Sequence, residues 1–191
     1  MLTNTTSNTT TQTAKQIGEA LFLRGFFIQL QDDHTFTLEP GSGKGDFFAI
    51  QTLLSSLGIR YSTDDSAITV QETEVTHRQL QEIRFQPGRN HEISTPSYMS
   101  RWRAFTRRRY GLTLDTMTLD PGVAVLVKAM NNAGIITMMS CDGHGIREPK
   151  IWLGGPWNGA WFSILQGYAF RHLPLHYTWK VAPEKHFGSV L

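Results

Sequence analysis

Apolar and polar positions along the chain follow two rhythms, and the points where one gives way to the other mark the predicted elements. In "KQIGEALFLRGFFIQLQDDHTFTLE" helical spacing stops at Gly25, β-branched and aromatic residues take over, and Asp32-Asp33 divides them into two runs. "DFFAIQTLLSSLGIRYSTDDSAITV" has the same order, with Gly58 as the stop and Asp64-Asp65 as the turn. Glycine suits the left-handed position that closes a helix, and β-branched and aromatic side chains suit a pleated strand. The pattern predicts two copies of an α-β-β unit, about 33 residues apart from Gly25 to Gly58.

A third helix is expected from Asp120-Pro121, since proline fits the first turn. Val123, Leu126, Val127 and Met130 give it one apolar face, and Gly134 closes it. "IITMMS" then reads as a strand, "CDGHGIREP" as a turn and "KIWLGG" as the returning strand. "NGAWFSILQGYAF" predicts a helix with Trp161, Ile164, Leu165 and Tyr168 on its apolar face, and "LHYTWKV" a last strand. The fold class expected is α+β, with mostly antiparallel sheets, helices packed on one face and repeated α-β-β units. Residues 1–13 read as a polar, disordered tail. Residues 14–85 form an N-terminal lobe, 86–97 a linker ("QPGRNHEISTPS") and 98–191 a C-terminal lobe.

Composition narrows this picture. The 191 residues suffice for a buried core, and a formal charge of +2 leaves any attraction to nucleic acid to a local patch. A single cysteine excludes an intrachain disulfide and fits a reducing compartment, so a cytoplasmic location is expected. No run reaches the roughly 20 apolar residues of a membrane span, and the polar N-terminus does not resemble a secretory signal.

The candidate chemistry concentrates in "TMMSCDGHG", residues 137–145. A strand fixes the backbone there, and Gly143 and Gly145 let main-chain N–H groups approach a ligand. Cys141, Asp142 and His144 are candidate catalytic residues: imidazole exchanges protons near neutral pH, and the carboxylate can orient it. Ser140 and Thr137 add hydroxyls, with Thr137 expected on the strand face of Met139 and Cys141. An ordinary Asp-Gly hairpin turn accounts for the same spacing equally well. Cys-x-x-His supplies two ligands where zinc takes three or four, so no metal is expected.

Other segments carry less. "PGSGKGD", residues 40–46, lacks the spacing of a phosphate loop, with Gly45 after Gly43-Lys44 and Leu38 at the first glycine position. His176-x-Thr178 has no second copy of the kind a paired phosphodiesterase motif needs. "RWRAFTRRRYG", residues 101–111, interleaves Arg103, Arg107 and Arg108 with aromatic residues. That mixture suits RNA or a nucleotide, and it equally suits an amphipathic helix with solvated arginines. In "GGPWNGAW", residues 154–161, Trp157 is a candidate wall of the same pocket, and Asn158 a candidate helix cap.

"LDPGVAVLVKAMNNAGIITMMSCDGHG", residues 119–145, resembles the core of the wybutosine-synthesising tRNA methyltransferases of the third-step type. The matching positions are Asp120, Leu126, Val127, Asn131, Thr137, Ser140, Cys141 and Gly143, within a likeness covering about residues 98–155. His144 stands where that family has arginine, and Asp142 where a small residue is usual. The resemblance implies an α+β protein that binds S-adenosylmethionine and acts on a modified guanosine of tRNA. The expected function is therefore an RNA- or nucleotide-modifying enzyme with Cys141, Asp142 and His144 in its pocket, Ser140 and Gly143 at the cofactor or substrate, and arginines on phosphates. The alternative is a protein that binds a nucleotide-like or other small polar ligand without chemistry.

Overall fold

The structure is a computed structural model, and it describes residues 8–39, 42, 44–71, 74–88, 115–169 and 180–182. In chain order α1 (Asn8–Arg24) leads into β1 (Ile28–Leu30) and β2 (Thr35–Leu38), and α2 (Lys44–Ser56) into β3 (Tyr61–Thr63) and β4 (Ala67–Val70). The short α3 (His77–Arg84) follows. Then come a 3₁₀ turn (Thr116–Thr118), α4 (Pro121–Asn132), β5 (Thr137–Cys141), a second 3₁₀ turn (Gly143–Gly145), β6 (Lys150–Leu153) and α5 (Pro156–Ala169). The fold is α+β with antiparallel sheets and helices packed alongside. No helix among the described residues is long and apolar enough to cross a membrane.

The four N-terminal strands form one sheet in the order β1-β2-β4-β3, every pair antiparallel. Phe36 of β2 pairs with Ile68 of β4 at the centre, and both are buried. They pack with Ile17 and Leu21 of α1, Ile50 and Leu54 of α2 and Ile83 of α3 in the main core. The helix α1 starts at Asn8 and so takes in part of the polar tract expected as a tail, with Thr13 buried. The helix α3 went unread in the apolar pattern because it is short and mostly polar. Its start is nevertheless written in Thr76-x-x-Gln79: the Gln79 N–H donates to Thr76 Oγ1 (3.2 Å) and the Thr76 N–H to Gln79 Oε1 (2.9 Å).

In the C-terminal part β5 and β6 form a two-stranded antiparallel sheet against α4 and α5. A bulge between Thr137 and Met139 shifts the register, pairing Thr137 with Leu153 but Met139 with Trp152. Cross-strand partners share a face, so Thr137 lies with Leu153 and Ser140 with Ile151, while Met139 and Cys141 lie opposite. The simple alternation that put Thr137 beside Cys141 is therefore broken. On α5 the buried residue is Phe162, backed by Leu165; Trp161, Ile164 and Tyr168 of the expected apolar face are exposed. Asn158 sets this rotation. Its Oδ1 accepts from the Ile136 N–H (2.8 Å) and its Nδ2 donates to the Gly154 carbonyl (2.7 Å), which turns positions 158, 162 and 165 inward together. The strand expected at 175–181 falls almost wholly outside the described residues.

Buried charge joins the two parts. Lys128 of α4 donates to Asp46 Oδ2 of α2 (2.6 Å) and to Thr116 Oγ1 (2.7 Å), with both ionic side chains inaccessible. The Thr116 N–H completes the ring by donating to Asp46 Oδ1 (2.7 Å). Beside it the buried Arg24 donates to the carbonyls of Gln86 (2.6 Å) and Leu119 (3.0 Å), which fixes the start of the segment expected as a linker. Burial pushes Arg24 down to about 10 against the opposing pull of Asp120, Asp46 and Asp142, and it lowers Lys128 against the pull of Asp46.

Candidate functional site

The candidate site forms where β5 runs out against the first turn of α4. Cys141 is the last residue of β5, and the next step changes direction through Gly143 at φ +79° and His144 at φ 51°, ψ 32°. A side chain at Gly143 would press on the Glu148 carbonyl carbon at 3.2 Å, so the tight return needs glycine. Asp142 caps this turn by accepting the His144 N–H at Oδ1 (2.9 Å). The start of α4 approaches closely as well: a Cβ at Gly122 would lie 2.9 Å from the Asp142 Cβ. That contact places Asp120 at the turn, where its Oδ2 accepts the Asp142 N–H (3.3 Å).

Four side chains consequently converge. The Cys141 Sγ lies 3.6 Å from His144 Nε2, and His144 Nδ1 lies 3.2 Å from Asp142 Oδ1. Donor atoms of Asp120, Cys141, Asp142 and His144 all fall within 4.8 Å of one another. Asp120, Cys141 and Asp142 are half-buried, and the His144 side chain is 46% exposed, so the cluster opens to solvent on the imidazole side. Chemically the order thiol–imidazole–carboxylate is that of a proton relay. With its Nδ1 proton on Asp142, the ring presents an acceptor lone pair at Nε2. The same sulfur, nitrogen and oxygen donors are also those that zinc and its neighbours take.

The sequence-expected residues divide into three groups. Cys141, Asp142, Gly143 and His144 are brought together, with Gly145 directly after them at the exposed end of the turn. Thr137 is buried and accepts from Asn131 Nδ2 (2.9 Å), and Ser140 shares its face, so both hydroxyls belong to the side of β5 opposite Cys141. Trp157 stands in the first turn of α5 at 86% exposure. Arg103, Arg107 and Arg108 lie outside the described residues.

Asp120, expected as a helix start and as a position shared with the methyltransferase pattern, was not expected to meet the turn. Its signal was Gly122, two residues on, where a helix needs no glycine unless something approaches closely. Two surface depressions, about 550 Å³ bounded by Asp32, Asp33, His34, Thr35 and Thr69 and about 440 Å³ between α1 and β1, lie in the N-terminal half and touch none of these groups. Comparison with known proteins finds no matching family model, no matching curated sequence and no matching solved structure.

Proposed function

We propose that the turn at 141–145 is the reactive centre of an enzyme that modifies RNA or a nucleotide. One observation carries this reading: Cys141 Sγ, His144 and Asp142 stand in sequence at 3.6 and 3.2 Å, at a solvent-accessible edge. The resemblance over residues 119–145 supplies the class of reaction, transfer of a methyl group from S-adenosylmethionine. In that step a substrate nitrogen or oxygen bonds to the methyl carbon as the carbon–sulfonium bond breaks. S-adenosylhomocysteine leaves, and the proton released by the substrate passes to His144, steadied by Asp142. Arg103, Arg107 and Arg108 take the ligand's phosphates.

Two further readings belong to this proposal. Residues 15–39 and 46–70, within the 14–85 lobe, are two copies of one α-β-β unit, a reading supported by Phe36 and Ile68, which pair at the sheet centre and occupy the same position relative to their own Asp-Asp turns. The 98–191 part then carries the reactive turn.

The test combines binding with turnover. S-adenosylmethionine at about 100 times its dissociation constant should stabilise the protein by about 2.7 kcal/mol in thermal denaturation. Labelled methyl should pass to tRNA, and His144→Ala should lower that rate by about 100-fold or more while the protein stays folded. Stabilisation by nucleotides with no transfer at all leaves a binding protein. Transfer undiminished in His144→Ala and Cys141→Ser sinks the site.

A further inference from the structure

We propose that this turn holds a divalent transition-metal ion, zinc being the natural choice, with Cys141 Sγ, His144 Nε2 and a carboxylate oxygen of Asp120 as ligands. Asp142 is then the positioning residue, holding His144 through Nδ1. The inference stands on the four side chains alone and is independent of the substrate and methyl donor proposed above.

The distances favour it. Zinc bonds of about 2.3 Å to sulfur and about 2.0–2.1 Å to nitrogen, at a tetrahedral angle, put those two donors about 3.5 Å apart. Cys141 Sγ and His144 Nε2 are 3.6 Å apart, so an ion enters between them with no rearrangement of the turn. One Asp120 carboxylate oxygen lies within 4.8 Å of the Cys141 sulfur and of an imidazole nitrogen of His144. Thiolate, imidazole and carboxylate together suit zinc or cobalt and not calcium or magnesium, which take oxygen. Three protein ligands leave the fourth position to water or a substrate atom, as in zinc sites that do chemistry. A carboxylate on the far nitrogen of the ligating histidine is the usual way such a ring is oriented, and Asp142 occupies that place at 3.2 Å.

Charge gives a second argument. Two carboxylates, Asp120 and Asp142, stand half-buried within 4.8 Å of each other, and a cation among them offsets their repulsion. Arg24 is near enough to act on Asp120 and Asp142, yet its N–H groups are given to the carbonyls of Gln86 and Leu119. A bound ion would occupy Nε2 of His144, and the group it would supply as proton acceptor in place of the imidazole is a metal-bound hydroxide.

Cobalt titration of the chelator-treated full chain tests this. A single equivalent should bind and give the intense visible bands of four-coordinate cobalt, with a thiolate-to-cobalt charge-transfer band in the near ultraviolet. Cys141→Ser should remove the charge-transfer band. Asp142→Asn should keep the spectrum and weaken affinity about 10–100-fold, which a merely structural Asp142 does not do. Zinc should also protect wild-type Cys141 from alkylation, a readout that needs no variant to fold. Cobalt left unbound, a spectrum without the thiolate band, or alkylation indifferent to saturating zinc overturns the proposal and leaves a metal-free thiol–imidazole pair. Each of these results is obtained without S-adenosylmethionine or RNA, so failure here does not count against the proposed reaction.

Discussion

The hydroxyl of Thr137 is buried and accepts a hydrogen bond from Asn131 Nδ2, which also donates to the Val127 carbonyl at 2.6 Å. Thr137→Val keeps the shape and removes that acceptor. It should cost about 0.5–1.5 kcal/mol in urea denaturation and leave reactivity at Cys141 unchanged. Loss of Cys141 reactivity in a stable Thr137→Val protein would place the hydroxyl in the site after all. Asn131 and Thr137 are among the positions shared with the methyltransferase pattern, so part of that resemblance lies in residues that tie α4 to β5, apart from the cluster. At this scale Cys141, Asp142 and His144 were legible because they are neighbours in the chain and their types are reactive. Asp120 was not: it meets the Asp142 N–H from 22 positions away, and Gly122 beside it hints at a close approach without saying to what.

Gly25 and Gly58 both close helices at positive φ, +110° and +67°, yet they differ in what they face. A Cβ at Gly25 would stand 2.6 Å from the Ala124 Cβ on α4, whereas Gly58 has nothing within 4 Å. Gly58→Ala should therefore cost only the backbone strain, about 1–2 kcal/mol. Gly25→Ala should lose a further 1–3 kcal/mol, roughly, from forcing α1 and α4 apart. Equal losses in paired urea titrations would mean that the two helices do not meet there. The stop signals themselves were plain in the sequence, as were the hairpins after them, because glycine and paired aspartates punctuate strong apolar runs. Helix rotation was less plain. On α5 the apolar residues outnumber the buried positions, and Asn158 decides which of them face inward, a choice hydropathy cannot register.

Across the whole molecule, the joint between N- and C-terminal parts rests on a buried ion pair whose members are 82 positions apart. Asp46 and Lys128 sit on helices as ordinary charged residues do, so their burial was invisible to any reading of composition. Lys128→Met leaves Asp46 buried without its cation and should destabilise the protein by about 3–5 kcal/mol near neutral pH. The pH dependence is more specific. Burial lowers Lys128 from its ordinary 10.5, so between the lowered value and 10.5 the unfolded chain holds a proton that the native chain has released. The unfolded state then binds more protons, and this group's contribution makes unfolding free energy rise with pH through that window. Below the window the native state bears the desolvation penalty in full. Arg24, lowered to about 10, acts in the same sense but remains in the variant, so the difference between wild type and Lys128→Met isolates the lysine. That difference, measured by urea denaturation at stepped alkaline pH, should grow in favour of wild type as pH rises. A shrinking difference would mean that Asp46 holds the Lys128 proton more tightly than burial expels it.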